Sequence, residues 1–320
     1  MTWRSMTVAD AAAWAELWAE VEAVDRTGEN FSEQDLREEL SDEVLDLARA
    51  TTVAFDGERM IACGVVRIGS SADQLHRVSV HGAVHPKYRR QGLGVELVRW
   101  SIATATELHR ERFPGVPLEV HTAVDEHNYG KVRLWRAAGF APVRWFFQMQ
   151  CALTPAAPPA ELPAGLRLMG YHARLDNKIR LACNEAFEDH YAAEPFTEAG
   201  WRQWITGSHV FRPELSYVVL DEADRVAGIL IAQHYPADAQ ATGVPEIWVA
   251  DLGTRRPWRH QGVAGALLRQ VLVAAGPLGY QRAALEVDAD NPTGALRLYR
   301  QLGFTERQKV ARYARTVLLS

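Results

Sequence analysis

The chain has 320 residues, of which 48% are hydrophobic and 23% charged, a composition typical of a globular protein with a sizeable core. Its formal net charge of −5 gives no electrostatic support for binding nucleic acid or an anionic membrane. The N-terminal residues lack the apolar core of a signal peptide and no 18-residue apolar run occurs, so we expect a cytoplasmic protein without a membrane span. Cys63, Cys151 and Cys183 lack the spacing of metal ligands, so we expect neither a metal site nor a disulfide framework.

The first half of the chain is predicted to alternate between helices and strands. Thr7 is placed to cap a helix over residues 8–24, and Ser32, with Asp35 three residues on, is placed to cap a second helix. The dipeptide at 56–57, Asp-Gly, predicts a hairpin turn. The strands predicted in this half cover residues 51–55, 60–67, 77–84, 118–123 and 144–153, with further helices after residue 92 and over 129–138.

The second half repeats this order. Its predicted strands cover residues 166–169, 217–220, 226–234, 247–252, 283–287 and 307–318, and its helices 176–189, 198–206, one after residue 262 and one from residue 294. Four prolines between residues 154 and 163 exclude a helix or a central strand, so this segment is predicted to be a linker. We therefore predict a mixed α/β (α+β) fold with two tandem domains, 1–153 and 164–320, joined by the linker 154–163.

A short glycine loop occurs once in each half. Residues 89–94 read Arg-Arg-Gln-Gly-Leu-Gly and residues 259–264 read Arg-His-Gln-Gly-Val-Ala, 170 positions later. Each loop opens a helix-patterned run, and the free N–H groups of a helix N-terminus attract anions. Gly92 and Gly262 allow the backbone to approach a ligand closely, and Gly94 and Ala264 are both small. The loops predict sites for a phosphate-bearing ligand.

A second block follows each loop and supports a duplication. Residues 134–140 read Leu-Trp-Arg-Ala-Ala-Gly-Phe, and residues 298–304 read Leu-Tyr-Arg-Gln-Leu-Gly-Phe. One glycine loop alone would be a weak motif. Two loops, each followed by the same partner block, indicate a duplicated module.

These residues resemble the GNAT superfamily of N-acetyltransferases. The family carries Arg/Gln-x-x-Gly-x-Gly/Ala between a strand and a helix, as both loops do, and then a strand, an asparagine and a helix that ends near Tyr-x-x-x-Gly-Phe. In the second half these positions are Asn291 and residues 299–304. The tandem arrangement with a Pro-rich linker is similar to the mycothiol-synthase-like group of actinobacterial members.

The resemblance implies acyl-CoA binding at the first loop, the second or both, with acetyl-CoA as co-substrate and no metal. Pantetheine would bond along the strands ending near Val84 and Thr254, and Asn291 would lie beside the cofactor. The loop residues implied to bind the cofactor are Arg89, Arg90, Gln91, Gly92, Leu93 and Gly94 in the first half, and Arg259, His260, Gln261, Gly262, Val263, Ala264 and Gly265 in the second.

The resemblance also implies direct attack of an amine on the thioester, without an acyl-enzyme. Tyr299 matches the family's general acid, and a phenol can protonate a departing thiolate. The first half has Trp135 at this position, and an indole N–H is not a usable acid. We therefore expect catalysis mainly in the second half and a degenerate first domain that binds acyl-CoA or only keeps the fold.

The general base stays open at this point. Glu286 matches a glutamate that some members use, although it can equally be a structural carboxylate. Glu246 lies at the start of another strand, but the family's usual glutamate position falls at Trp248. Asp251 is a third candidate.

The expected activity is transfer of an acetyl group from acetyl-CoA to a primary amine of a small molecule. Residues 188–191 (Glu-Asp-His-Tyr) lie where this fold forms its acceptor rim, and carboxylates there would suit a cationic amine, unless they are a solvated helix end. The alternatives are an acyl-CoA-binding regulatory protein without efficient turnover and a mycothiol synthase proper.

Overall fold

A computed structural model describes residues 2–69, 72, 74–153, 162–291 and 294–317. The first series of strands is β1 (Thr2–Arg4), β2 (Thr51–Asp56), β3 (Arg59–Ile68), β4 (His76–Val84), β5 (Leu118–Asp125) and β6 (Ala141–Ala152). The helices of this series are α1 (Ala11–Asp25), α2 (Glu33–Leu40), α3 (Leu47–Ala50), α4 (Leu93–Arg112) and α5 (Tyr129–Ala137).

The second series has the same order. Its strands are β7 (Leu166–Gly170), β8 (Tyr217–Asp221), β9 (Val226–Gln233), β10 (Glu246–Thr254), β11 (Arg282–Asp288) and β12 (Thr305–Val317). Its helices are α6 (Asp176–Phe187), α7 (Glu198–Trp201), which continues as a π-helical turn over Arg202–Thr206, α8 (Pro236–Thr242), α9 (Val263–Ala275) and α10 (Ala295–Gln301).

The predicted elements are confirmed with small shifts at their ends. Ser32 forms a capping box, since its backbone N–H donates to the Asp35 carboxylate and its hydroxyl accepts from the Asp35 N–H. Thr7 forms the same motif with Asp10 ahead of a short 3₁₀ turn that leads into α1. The elements β1, α3 and α8 were not predicted, because each is too short to show a hydrophobic period. Of the predicted linker, residues 154–161 lie outside the described residues.

The chain forms two compact units. The first comprises Met1–Phe146 with Lys309–Ser320, and the second comprises Phe147–Gln308. The predicted domains 1–153 and 164–320 follow the sequence repeat, and the units differ from them at the ends. The reason is that the last strand of the chain, from Lys309 onward, belongs to the first unit, while β6 from Phe147 onward belongs to the second.

Each unit contains a mixed sheet. In the first unit the order is β1-β2-β3-β4-β5-β12, with β4 and β5 parallel and the other pairs antiparallel. In the second unit the order is β7-β8-β9-β10-β11-β6, where β10 and β11 are parallel and the three pairs from β7 to β10 antiparallel. The mixed α/β prediction is confirmed.

Helices cover both faces of the second sheet, as the side chains of β9 show. Leu230 and Ala232 belong to the cluster that includes α9, whereas Ile229 and Ile231 belong to the cluster that includes α6. All four are essentially inaccessible to solvent, and burial of each large aliphatic side chain stabilises the fold by about 1.5–3 kcal/mol. The described helices include none long and apolar enough to cross a membrane.

Candidate active site

In each unit the two parallel strands pair for four residues and then part. The pairing of β4 with β5 runs from His76 to Ser79, and that of β10 with β11 from Glu246 to Val249. Beyond these points the two strands of each described pair no longer pair with each other. Their facing N–H and C=O groups are therefore open to a ligand. The openings lie directly before the two glycine loops, so loop and opening form one site in each unit.

The two loops are built by the same hydrogen bonds. Arg89 Nε donates to the carbonyl of Val84 at 3.1 Å, and Arg259 Nε donates to that of Thr254 at 3.2 Å. The side-chain amides of the two loop glutamines also donate to the loop backbone, to the carbonyls of Lys87 and Pro257. The loops therefore have the same local conformation as well as similar sequences.

The predicted cofactor residues Arg89 and Arg259 are engaged within the protein. Arg89 binds Asp25 at the end of α1 through two bonds of 2.6 and 3.0 Å. Arg259 contacts Asp189 at 3.3 Å and donates to the carbonyl of Ala186. Both guanidinium groups tie the loop to the end of the first long helix of their unit, so they hold the loop in place and their charge is largely neutralised before any anion arrives.

The backbone of each loop has the geometry of an anion-binding site. Two residues in each loop have positive φ, Arg90 (66°) and Gly92 (93°) in the first and His260 (62°) and Gly262 (82°) in the second. Alternation of left-handed and right-handed residues turns successive N–H groups toward one side, which forms an anion-binding concavity. Each loop leads directly into the N-terminus of a long helix, α4 or α9, where free N–H groups would also attract an anion.

Helix packing also restricts the size of the residue at position 94. A Cβ at Gly94 would lie 3.1 Å from Leu134 Cδ2 on α5. The position thus accommodates helix packing, and in the second loop the same position holds Ala264. By contrast, a Cβ at Gly92 or Gly262 would meet nothing within 4 Å, and there the positive φ is what favours glycine.

The first unit has a well-formed cavity at its opening, with a volume of about 460 Å³. It is lined by the loop residues Arg90, Gly92 and Gly94, by the strand end at Val84, and by Trp135. A cavity that joins an anion-binding loop to a mostly apolar channel fits a phosphorylated ligand with a long, weakly polar arm. In the second unit the strand-end hydroxyl of Thr254 is buried and has no hydrogen-bond partner among the described residues, so it too could bond such an arm.

Trp135 and Tyr299 occupy corresponding places on α5 and α10. Trp135 packs against Phe140 with ring centroids 4.7 Å apart, and Tyr299 packs against Phe304 at 6.0 Å. Burial raises the pKa of Tyr299 to about 12, so the phenol keeps its proton at neutral pH and is available as a donor. The Tyr299 side chain packs in the same cluster as Leu285 and Val287 of β11, one of the two strands that part at the opening of the second unit.

Asp251 lies at the opening of the second unit. The register of β9 and β10 shifts between Val249 and Asp251, and this bulge sits where β10 leaves β11. Burial raises the pKa of Asp251 to about 6, and the same carboxylate contributes to the raised pKa of the Cys183 thiol on α6. A carboxylate that titrates near neutral pH at a strand opening has the properties of a general base.

Glu286 is the first residue of β11 beyond the paired stretch. Its neighbours Leu285 and Val287 both belong to the α9 cluster, so the half-buried Glu286 points to the opposite face. Asp251 pairs with Ile231, which faces α6, and so lies on that same face. The structure therefore places Glu286 and Asp251 on the same side of neighbouring strands.

Glu246 lies elsewhere and does not have the environment of a base. It pairs with Arg282 across the strands, and its carboxylate forms ion pairs with Arg282 and with Arg307, the latter at 3.2 Å. The strands part only after Val249, three residues or ~10 Å further along β10. Because two guanidinium groups neutralise this buried carboxylate, we interpret Glu246 as a structural residue.

The carboxylates of the predicted acceptor rim, residues 188–191, are paired with loop arginines. Asp189 is bound by Arg256 and Arg259, and Glu188 lies 3.5 Å from Arg256, so the loop arginines neutralise these carboxylates. Burial lowers the pKa of His190, while the charge of Asp288 at the end of β11 opposes this shift. His190 thus lies near the opening of the second unit as a neutral imidazole.

Known proteins resemble this chain in both halves. The acetyltransferase (GNAT) family model matches residues 13–140 and again residues 177–304. A mycothiol acetyltransferase of Pseudarthrobacter chlorophenolicus is 30% identical over 70% of this chain, which spans 65% of that protein's length. One of Salinispora arenicola is 29% identical over 83% of this chain and 81% of its own. The crystal structure of a GCN5-related N-acetyltransferase from Sphaerobacter thermophilus has a TM-score of 0.75 and 25% identity, covering 98% of this chain and 95% of its own. The chain therefore belongs to the acetyltransferase (GNAT) family and carries two copies of the family's domain in tandem.

Proposed function

We propose that this protein transfers an acetyl group from acetyl-CoA to a primary amine of a small molecule, with the main turnover in the second unit. The observations that carry the proposal are a carboxylate with a pKa of about 6 at the strand opening, Asp251, and a buried phenol, Tyr299, at the α10 position where the first unit has Trp135. Bound acetyl-CoA would supply an activated acyl group as a thioester. The chain would supply the proton transfers and the alignment.

Asp251 is the proposed general base. An amine is protonated at neutral pH and must lose a proton before its nitrogen can attack the carbonyl carbon. With a pKa of about 6, Asp251 is ionised at pH 7 and above, yet remains basic enough to accept that proton directly or through a water. Glu286, on the same face, would assist by holding the amine or the water.

Tyr299 is the proposed proton donor to the sulfur. As the C–S bond breaks, the electron pair remains on the thiolate, and a nearby O–H stabilises that charge. The high pKa of Tyr299 makes full proton transfer less favourable than for a free phenol, so its main contribution is a hydrogen bond to the developing thiolate. Loss of such a donor typically slows a reaction by about 10²–10⁴-fold.

The loop at Arg259 is the proposed diphosphate site of this unit. His260, Gln261, Gly262, Val263, Ala264 and Gly265 would present backbone N–H groups, with Thr254 and Asn291 beside the rest of the cofactor. In the first unit the corresponding cavity would bind a second acyl-CoA, with Val84 at the strand end and Arg90, Gln91, Gly92 and Leu93 in the loop. In both units Arg89 and Arg259 would act by holding the loop.

The acceptor is proposed from the relatives. Two of them bear the name mycothiol acetyltransferase, so the amine of a mycothiol precursor is the first compound to test. The sharpest experiment measures thiol release from acetyl-CoA with a panel of aminosugars, polyamines, peptides and cysteinyl-glucosaminyl-inositol. Release that depends on one amine and on Tyr299 supports the proposal.

A second candidate function is an acyl-CoA-binding regulatory protein. It is favoured by the cavity of the first unit, where Trp135 stands in place of the acid. If acetyl-CoA binds in a calorimetric titration while no amine of the panel accelerates thiol release above hydrolysis, this second function replaces the first.

A further inference from the structure

We propose that the first unit is itself a second, slower acyl-transfer site, in which His81 is the general base and Glu39 positions it. The proposal rests on the proposed function for its acyl donor. It goes beyond that function because position 135 holds Trp where the second unit has Tyr299. That difference alone would leave the first unit as a binding domain without turnover.

His81 lies in the cavity that already holds the anion-binding loop. It lines the same 460 Å³ cavity as Gly92 and Trp135, and it is three residues before the end of β4 at Val84. A thioester held with its diphosphate at the loop and its arm along the end of β4 would therefore share this cavity with the imidazole. His81 is in the place from which a base must act.

Glu39 fixes the orientation of His81. Its carboxylate lies 3.3 Å from His81 Nε2 and also accepts bonds from Arg67 at 3.1 and 3.3 Å, while Asp42 binds the other side of Arg67. Burial alone would raise the pKa of Glu39, but His81 and Arg67 lower it to about 2, so the carboxylate stays ionised. An imidazole that donates Nε2–H to a fixed carboxylate keeps the lone pair of Nδ1 for a proton.

The ring is also held from a second direction. Trp14, fully buried on α1, lies parallel to His81 with an interplanar angle of 4° and centroids 6.4 Å apart. The charged groups nearest the imidazole are Glu39 and, through it, Arg67 and Asp42, and the cavity that His81 lines also contains Asp25, Arg89, Arg90, Lys131 and Arg133. A carboxylate, an imidazole and an acyl-donor cavity form the base half of an acyl-transfer site.

The step that this site supports is balanced without an enzyme acid. His81 Nδ1 removes a proton from the ammonium, and the amine lone pair forms the N–C bond to the thioester carbonyl. The C–S bond breaks with its electron pair on sulfur, the nitrogen gives up its second proton to the thiolate directly or through water, and His81 releases the proton that it holds to solvent. Because a thiolate is a good leaving group, loss of the phenol slows the reaction without preventing it.

The test inactivates the second unit by substitution and then measures the activity that remains in the first unit. In the full-length Asp251→Asn/Tyr299→Phe variant, we expect amine-dependent thiol release to remain above the enzyme-free rate. Adding His81→Gln should lower this residual rate at least tenfold, whereas His127→Gln should leave it unchanged, since that side chain is 79% exposed and is not part of the cavity lining. Adding Trp135→Tyr should raise the residual rate at least tenfold, a gain that misfolding cannot produce.

Glu39 has its own readout. Replacing Glu39 with Gln removes the carboxylate that orients the imidazole, so kcat of the residual reaction should fall while KM for acetyl-CoA stays unchanged. Asp at this position should restore part of the lost kcat. A residual rate equal to the enzyme-free rate, or one that neither His81→Gln nor Trp135→Tyr changes, would overturn the second site while leaving the second unit's function intact. Absence of amine-dependent release in the unaltered protein would instead refute the proposed function.

Discussion

His81 and Asp251 lie at corresponding positions of the two units, each three residues before the end of its strand. His81 faces Val65 on the neighbouring antiparallel strand, and Asp251 faces Ile231. The duplicated module thus keeps a proton acceptor at the opening of both sheets while changing its chemistry. In the first unit a carboxylate supports the acceptor, and in the second burial alone sets its pKa.

Tyr299→Phe should reduce kcat in the amine-dependent assay by about 10²–10⁴-fold, because the thiolate loses its hydrogen-bond donor. Trp135→Phe is the matched control at the corresponding helix position, and it should change the total rate less than threefold (~0.6 kcal/mol). Equal losses in the two variants would contradict the assignment of the main turnover to the second unit.

Asp251 should set the acid limb of the pH–rate profile. Its pKa is raised to about 6, so kcat/KM should fall below pH 6 as the carboxylate becomes protonated. Asp251→Asn should remove this inflection and lower kcat/KM by about 10²–10⁴-fold at pH 8. An unchanged inflection near pH 6 in that variant would assign it to another group, with Glu286 the first to examine.

The same variant should be more stable than the unaltered protein at neutral pH. A folded-state pKa raised from 3.8 to about 6 means that the folded protein holds a proton which the unfolded chain has lost. The contribution of this proton to the free energy of unfolding is fully present below pH 3.8 and is lost as the pH rises through 6. The loss amounts to about 3 kcal/mol. Asn carries no charge, so the gain in the free energy of unfolding should be largest above pH 6 and vanish near pH 4. Urea unfolding at both pH values measures it.

The sequence predicted the loops and the difference between Trp135 and Tyr299 because both follow from spacing along the chain. It did not select Asp251, since the raised pKa arises from burial against α6, which only the folded structure provides. For the same reason it placed Glu246 ahead of Asp251, although two arginines more than 30 positions away neutralise Glu246. The sequence also could not predict that most of β12 belongs to the first unit and most of β6 to the second, because strands with the same alternating pattern can pair with either sheet.

Glu246→Gln should affect stability and leave the pH–rate profile unchanged. It removes the charge that Arg282 and Arg307 share in a largely buried cluster, and breaking a buried pair costs about 3–5 kcal/mol. Because both guanidinium groups remain partly exposed, we expect a loss of roughly 1–3 kcal/mol in the free energy of unfolding. Loss of turnover in a Glu246→Gln protein that is still folded and binds acetyl-CoA normally would restore Glu246 as a candidate base.

Gly262→Ala tests the loop conformation, with Gly276→Ala as its matched control. Both positions have room for a Cβ, but φ is 82° at Gly262 and −55° at Gly276. A left-handed alanine costs about 1–2 kcal/mol, which the loop can avoid only by turning its N–H groups away from the ligand. Gly262→Ala should therefore weaken acetyl-CoA binding in the second unit by about five- to thirtyfold, whereas Gly276→Ala should leave binding unchanged and be neutral or slightly stabilising. Calorimetry separates the two units, because only one of the two binding events should weaken. Equal binding in both variants would mean that the backbone of this loop does not hold the diphosphate.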